Sequence, residues 1–280
     1  MSRHPWVVAG VAVGAASTIV ILLSPVTGAA PTGQPIVSAV LPLGFYAAGA
    51  VAAVILPEHG VGHRLLALGA LHLASFALLV VSLLLEESAL AVAILLPASL
   101  AFALGFAVLF DILVRYPTGR VAREPLRSVT LSLYVAAGLL AVLGFFGSPT
   151  WPAIGGSESA RPNPLHLPAL EAVAPIGGFL PALALVGLVL MIVRYRGAPA
   201  SERGQMRWPI GATVALVAGL VTTGLLEETL GTGVQTAVFI ALASLHPRVP
   251  ARRHPPACTR GGADQGARGV ARPDRGGRRR

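Results

Sequence analysis

Few side chains in this sequence could do chemistry, and the first of them is a histidine within an apolar stretch. His72 lies well inside that stretch, where an ionisable group can relay a proton or bind a ligand. The simpler interpretation is a neutral imidazole that hydrogen-bonds to a neighbouring helix. Because no partner carboxylate is evident at a matching depth, the sequence favours this structural role.

Two further histidines have the spacing of metal ligands. His59 and His63 are four residues apart, and Glu58 precedes them, as in many zinc sites. Pro57 and Gly60 place this group in a turn, and a third ligand is not evident. The sequence therefore predicts no metal site here, and no motif elsewhere indicates a cofactor.

Acidic residues offer two other candidates. The glutamate pairs at 86–87 and 227–228 could bind cations, although solvated turns explain them better. Asp111 lies at the end of an apolar stretch, four residues before Arg115, a spacing that predicts a salt bridge within one helix. The sequence shows no hydrolase elbow, phosphate-binding loop, dinucleotide fingerprint or HExxH motif. We therefore predict no catalytic residues.

The elements that must position these residues are membrane spans. Of the 280 residues, 54% are hydrophobic and 12% are charged, with a mean hydropathy of +0.74. A soluble domain has about 25% charged residues, so this composition excludes the soluble globular class. The single cysteine, Cys258, excludes a domain stapled by internal disulfides. The apolar stretches run over 6–23, 36–56, 65–85, 89–110, 129–147, 171–193, 210–226 and 229–245.

These stretches predict an all-α fold, a polytopic membrane bundle of eight transmembrane helices in the lipid bilayer. Seven helices are the alternative. The first stretch, with Arg3 before it and small residues at 27–30 after it, could be a cleaved signal peptide, although its 18 residues exceed the usual apolar region. The last two stretches are short and could form a hairpin that only just crosses the membrane.

The placement of the arginines predicts the orientation of the bundle. With eight spans, ten of the arginines before residue 246 fall on one side of the membrane, and Arg161 alone falls on the other. The sequence therefore predicts a multi-pass protein of the cell membrane with both termini in the cytoplasm. Reporter fusions after residues 90 and 160 should lie outside, and a fusion after residue 120 should lie inside.

The chain is predicted to have two parts, the bundle at 1–245 and a basic tail at 246–280. The tail has ten arginines, two acidic residues and no Leu, Ile or Phe, so we expect it to be disordered. One hypothesis is out-of-frame translation after a frameshift, since residues encoded by GC-only codons make up 26 of its 35 positions. The rival is a polybasic anchor that binds anionic lipid. Nucleic acid is a weaker candidate, because no aromatic residue is present to stack on a base.

Three segments on the predicted cytoplasmic side have more specific sequences. The first, at 57–69, reads PEHGVGHRLLALG. The second, at 116–120, reads YPTGR and contains Pro117, Gly119 and Arg120. The third begins with RYR at 194–196 and continues with SERGQMRW at 201–208, which contains Glu202, Arg203, Gln205, Met206, Arg207 and Trp208.

Taken in this order, the three segments resemble the multi-span sensory region of two-component histidine kinases from high-GC bacteria. The family patterns are P-x-N-x-[IV]-G-W-L-L, [FY]-P-[DT]-G-R and R-x-R followed by E-R-x-Q-[LM]-[RK]-W. The third matches throughout, whereas the first has His59 and His63 where the family has Asn and Trp. The resemblance covers residues 50–245. It implies an input region that binds a signal or pairs with another protein, as a homodimer or with an intact histidine kinase.

The resemblance also implies a coupling segment, a phosphoacceptor hairpin and an ATP-binding domain. These need far more than the 35 residues that follow Leu245, and none of the seven histidines precedes an acidic residue, as the phosphoacceptor does. We therefore expect a sensory region without catalytic activity. If the frameshift hypothesis is right, another frame beginning near codon 245 should encode a coupling helix, then a histidine followed by an acidic residue, and then an ATP-binding region. The alternative function is a small transporter or transporter subunit that uses His72 and the outer glutamates.

Overall fold

The described part of the fold is built from α-helices. The computed structural model describes residues 5–27, 34–58, 60–85, 88–116, 124–150, 162–179, 182–200, 202–207, 210–211 and 213–214. In chain order the elements are α1 (Pro5–Leu23), α2 (Gln34–Ile55), α3 (Gly60–Leu84), α4 (Ala89–Arg115), α5 (Glu124–Gly147), two 3-10 helices (Pro168–Leu170 and Ala174–Phe179) and α6 (Ala182–Gly197). A short helical segment at 202–207 follows α6.

Four of these helices are long and apolar enough to cross a membrane. They are α1, α3, α4 and the Leu126–Gly147 part of α5, and Ala39–Ile55 of α2 forms a shorter apolar helix. Each of the first five predicted spans coincides with one of these helices to within five residues at either end. The all-helical prediction is therefore confirmed for the described residues, and the architecture is consistent with a helical membrane bundle.

The predicted sixth span, 171–193, is wrong in its first part. Residues Ala174–Phe179 form a 3-10 helix, and α6 begins only at Ala182 and continues to Gly197. Pro175 and the adjacent Gly177 and Gly178 explain the difference, because proline lacks an amide hydrogen and glycine is a poor helix former. The predicted spans at 210–226 and 229–245 and the tail at 246–280 lie outside the described residues, except for four positions between 210 and 214.

α2 and α3 approach so closely that glycines make the contact. A Cβ atom on Gly49 would overlap the backbone of Leu66, and one on Gly69 would overlap the backbone of Tyr46. The two helices therefore run antiparallel with their backbones in contact, a packing that small residues permit in membrane bundles. The Tyr46 hydroxyl also donates to the carbonyl of Val11 at 2.8 Å, which ties α2 to α1.

α4 occupies the centre of the bundle. Every residue from 105 to 114 is buried, so this half of the helix is covered on all sides, as expected of a helix that is apolar all round. α3, α5 and α6 pack against it. Asp111 is the one charged residue in this buried run. Its carboxylate therefore requires partners within the bundle.

The bundle has two ends that differ in chemistry. We call one the arginine end: α3 begins there, α4 and α6 end there, and it holds Arg64, Arg115 and Arg194. We call the other the asparagine end: α5 ends there, and the connector containing Asn163 packs against it. None of the residues described at the asparagine end is an arginine.

Candidate functional site

The arginine end is centred on a buried carboxylate. Asp111, 3% exposed, lies one turn before the end of α4. Arg64, in the first turns of α3, donates from Nε to Oδ2 of Asp111 at 2.6 Å, and Arg115 donates from Nε to Oδ1. The predicted salt bridge between Asp111 and Arg115 is therefore confirmed, and Arg64 joins it from a different helix.

Asp111, Arg64 and Arg115 form an ion triad, and its two arginines are only partly buried. The side chains of Arg64 and Arg115 are 26% and 21% exposed, whereas that of Asp111 is 5% exposed. Arg64 also donates from Nη1 to the carbonyl of Gly60 at 2.8 Å. Charge-assisted hydrogen bonds are stronger than neutral ones, and a buried charge is tolerated only when it is paired. The triad therefore fixes α3 against α4 and leaves an excess of one positive charge.

A third arginine binds α4 through main-chain acceptors. Arg194, in the last turn of α6, donates from Nη1 to the carbonyl of Tyr116 at 3.1 Å and to that of Val114 at 3.4 Å. Carbonyls at a helix C-terminus lack helical partners, and the negative end of the helix dipole favours a cation. α6 is thereby attached to the end of α4. Burial raises the pKa of the Tyr116 hydroxyl above its usual range.

The three segments that carry the family resemblance meet at this end. One apolar cluster contains Val61 from the first segment and Met206 from the third, and Tyr116 from the second packs against it. Tyr195, in the first half of the third segment, packs against the same cluster, and Ala198, between the two halves, belongs to it. Segments far apart in the sequence are therefore brought into one packed group beside the triad.

The third motif lies on the short helical segment at 202–207. Its methionine, Met206, is fully buried, whereas Arg203, Gln205 and Arg207 are exposed and Glu202 is half-buried. Among its described residues, the motif thus has one buried side chain, Met206, that holds the segment on the bundle, and three exposed polar side chains.

One exposed motif residue has a defined partner within the bundle. Arg207 donates from Nε to the hydroxyl of Tyr195, near the end of α6, at 3.2 Å. This bond raises the pKa of the Arg207 guanidinium. The remaining predicted candidates lie outside the described residues: Pro117, Gly119, Arg120 and Trp208, together with His59 and the glutamates at 86–87 and 227–228.

His72 lies on α3, about two turns after Arg64. Its side chain packs against α4. Its Nδ1 is 3.0 Å from the carbonyl oxygen of Leu68, one turn earlier in the same helix. The rings of Phe102 and Phe106 meet the imidazole edge-on, each with a centroid distance of 5.5 Å. This hydrogen bond lies within His72's own helix, because side chains in a helix lie over the preceding turn. The predicted bond to a neighbouring helix stays a prediction. The neighbouring helix supplies the aromatic rings.

The other histidine of α3, His63, contacts an aromatic ring. The ring of His63 meets that of Trp6 edge-on at a centroid distance of 4.5 Å, which joins α1 to the start of α3. Among the described residues, no group of three or more His, Cys, Asp or Glu side chains could hold a metal ion. His59 lies outside the described residues, so the absence of a metal site at His59 and His63 stays a prediction.

The asparagine end is held by a residue that the sequence interpretation missed. Asn163, 6% exposed, donates from Nδ2 to the carbonyls of Phe145 at 2.8 Å and Ser148 at 2.9 Å. Its Oδ1 accepts a hydrogen bond from the Leu165 amide at 2.9 Å. The end of α5 is therefore capped by the connector that follows it. The sequence does contain a signal, since Asn163 is the chain's one asparagine and stands between two prolines.

Sequence interpretation also missed the roles of Arg64 and Arg194, which it used only to predict orientation and as members of the first and third segments. A usable signal was the scarcity of acids, because Asp111 is the one aspartate before residue 246. A buried aspartate requires a cation, and Arg115 was the nearest in sequence but not the only one within reach in the fold.

The site can also be set beside known proteins. No protein-family model, curated protein or solved structure matches this chain. These comparisons do not link it to sensor histidine kinases, and the resemblance drawn from the three segments stays a prediction. The described residues form a membrane-type helical bundle, and at its arginine end the helices are joined by an ion pair and by hydrogen bonds.

Proposed function

We propose that this chain is a multi-pass membrane input module, similar in role to the sensory region of a two-component histidine kinase, which binds a signal rather than catalyses a reaction. The observation that supports this proposal is the meeting of the three characteristic segments at the arginine end. Val61, Tyr116 and Met206 come from those segments and belong to one apolar group. The three segments are therefore packed together at that end.

An input module must convert an event within the membrane into a movement at the membrane surface. Here α3 is joined to α4 through Asp111, and α4 is joined to α6 through Arg194. α6 leads directly into the segment held by Met206. Ion pairs and helix caps are either made or broken, so such connections support two discrete arrangements. A shift of α3 or α4 would thus move the segment at 202–207.

The proposal includes eight spans, with the arginine end and both termini in the cytoplasm. It is supported by the concentration of arginine at one end of the described bundle, because loops rich in arginine stay on the cytoplasmic side. Reporter fusions after residues 90 and 160 should lie outside and a fusion after residue 120 inside. The reverse pattern would overturn the orientation.

A chimaera tests the function. Residue 245 is joined to the coupling helix and catalytic core of an active histidine kinase, and autophosphorylation is measured in isolated membranes at matched protein levels. We expect Arg194→Met and Met206→Ala to change the rate several-fold, because they loosen the route from α4 to the segment at 202–207. The control is Val189→Ala, at an α6 position that is 57% exposed. Equal rates in all these chimaeras would contradict the proposal.

A small transporter is the second candidate, and His72 is the observation that favours it. An ionisable group within a span is expensive and commonly marks a pathway for ions or substrates. The contacts of His72 with Leu68, Phe102 and Phe106 fit a packing role equally well. Substrate-dependent uptake into vesicles that is lost in His72→Ala would favour the transporter and contradict the input module.

A further inference from the structure

We propose that residues 196–200 and 202–207, the turn after α6 and the short helical segment that follows it, form a docking surface for the headgroups of anionic phospholipids. This inference rests on the orientation given under the proposed function, which places the arginine end at the cytoplasmic leaflet. The occupant is a phosphodiester group of the lipid bilayer beside the bundle.

The surface is preorganised by two buried residues. Ala198 and Met206 are 9% and 0% exposed, and both lie in the apolar cluster of the arginine end. Between them, the carbonyl of Pro199 accepts hydrogen bonds from the amides of Glu202 at 3.1 Å and Arg203 at 3.0 Å. The segment is therefore held at both ends and turned in the middle, so its outward side chains keep a constant spacing.

The outward side chains are predominantly basic. Arg196, Arg203 and Arg207 are exposed, and Glu202 is the one acidic residue in 196–207. The bond from Arg207 to the Tyr195 hydroxyl at 3.2 Å orients that guanidinium over the end of α6. The surface therefore carries two positive charges in excess, next to the end of an apolar helix.

A lipid phosphate matches this surface in chemistry and in position. Guanidinium groups bind phosphate oxygens through paired N–H donors. The apolar part of α6 ends at Arg194 and Arg196, so the exposed arginines begin where the hydrocarbon layer should end. The apolar side of the segment is already occupied by the protein, since Met206 is fully buried. What remains for the bilayer is the charged side, and the cytoplasmic leaflet is negatively charged.

Amide hydrogen exchange of the full chain in lipid nanodiscs tests this inference. The bilayer is either phosphatidylcholine alone or a mixture with phosphatidylglycerol, and exchange is followed in peptides covering 199–207. We expect the anionic bilayer to slow exchange there about fivefold, the factor that corresponds to one arginine held at a charged surface. High salt should remove the difference, because exposed charges are screened.

Two variants distinguish binding at this surface from a general effect of the positive charge of the protein. In Arg203→Gln/Arg207→Gln the slowing should disappear while exchange within α3 and α4 stays unchanged, which shows that the bundle is folded. Arg127→Gln removes another exposed arginine, near the start of α5, and should keep the slowing.

Three results would overturn the inference. They are equal exchange in both bilayers, loss of the slowing in Arg127→Gln, and the same slowing when inorganic phosphate is added to the neutral bilayer. The last would indicate a site for soluble anions instead. A chimaera that responds to Arg194→Met while the lipid effect is absent would leave the proposed function standing and remove only this surface.

Discussion

The arginine end and the asparagine end are each organised around a buried polar side chain, but the two side chains act differently. At the arginine end, Asp111 accepts hydrogen bonds from two charged side chains, one of them on another helix. At the asparagine end, Asn163 donates to two main-chain carbonyls near the end of α5. One end is stabilised by charge and the other by neutral amide hydrogen bonds.

The separation of the partners along the chain shows what each end accomplishes. Arg64 and Asp111 are 47 residues apart, and Arg194 and Tyr116 are 78 residues apart. Asn163 and Phe145 are separated by 18 residues. The arginine end therefore holds distant helices together, whereas the asparagine end closes a connector onto the helix that it follows. Disturbing the first should affect the whole bundle, and disturbing the second should stay local.

The largest effect is expected from Asp111→Asn. This change keeps the shape of the side chain but leaves Arg64 and Arg115 facing a neutral amide. We expect a loss of about 3 kcal/mol in unfolding free energy, at the low end of the range for buried ion pairs because both arginines are partly exposed. Unfolding in detergent micelles measures it. The control is Glu58→Gln, an exposed carboxylate next to the end of α2. Similar stability of the two variants would show that the ion triad does not stabilise the arginine end.

Asn163→Asp should have the next largest effect. The carboxylate keeps the acceptor for the Leu165 amide but loses both donors, so the carbonyls of Phe145 and Ser148 face negative charge. The expected loss is about 2 kcal/mol, typical of buried groups left unsatisfied. Hydrogen exchange should rise near residues 145–165 and not in α3. Faster hydrogen exchange throughout the bundle would show that Asn163 stabilises more than the connector and the end of α5.

Arg194→Met should destabilise the chain by about 1.5 kcal/mol, the low end of the range for a hydrogen bond from a charged group, because Arg194 is only partly buried. The substitution keeps the apolar stem and removes the donors to Tyr116 and Val114. Arg196→Met is the matched control, because Arg196 is an exposed arginine in the same last turn of α6. Equal melting temperatures of the two variants would mean that α6 is not attached to α4 through this cap.

The smallest effect is expected from Glu171→Gln at the asparagine end. The carboxylate of Glu171 is 4.0 Å from Nε2 of His166, and its side chain is 61% exposed. A pair this long and this exposed contributes about 0.5 kcal/mol or less. The same unfolding experiment should therefore not distinguish this variant from the unaltered chain. A loss as large as that of Asn163→Asp would reveal an ionic contribution at this end as well.

Hydropathy predicted the helices because a span needs an unbroken apolar run, and five such runs became helices here. It failed at the sixth because apolar content does not register that Pro175, Gly177 and Gly178 are poor helix formers. The salt bridge between Asp111 and Arg115 was predictable since both belong to one helix turn. Arg64 was not, because its position opposite Asp111 depends on how α3 and α4 are aligned.

The same limit applies to His72 and Asn163. The geometry of a single helix brings the Leu68 carbonyl near His72, but the aromatic rings around it come from α4. Asn163 acts on α5 only after the connector folds back. Residue types indicated which groups need partners, and three-dimensional packing decided which partners they have.

The sequence separation within the triad also has a consequence in time. Arg64 leaves the ribosome 47 residues before Asp111, which at 5–20 residues per second is a delay of about 2 to 10 s. Throughout that interval the guanidinium has no counter-charge from α4 and is solvated best at the aqueous boundary. The start of α3 is therefore kept at the boundary during synthesis, and the later arrival of Asp111 locks it there. The ion triad can form only after α4 has been synthesised, and a nascent chain halted after α3 would be without it.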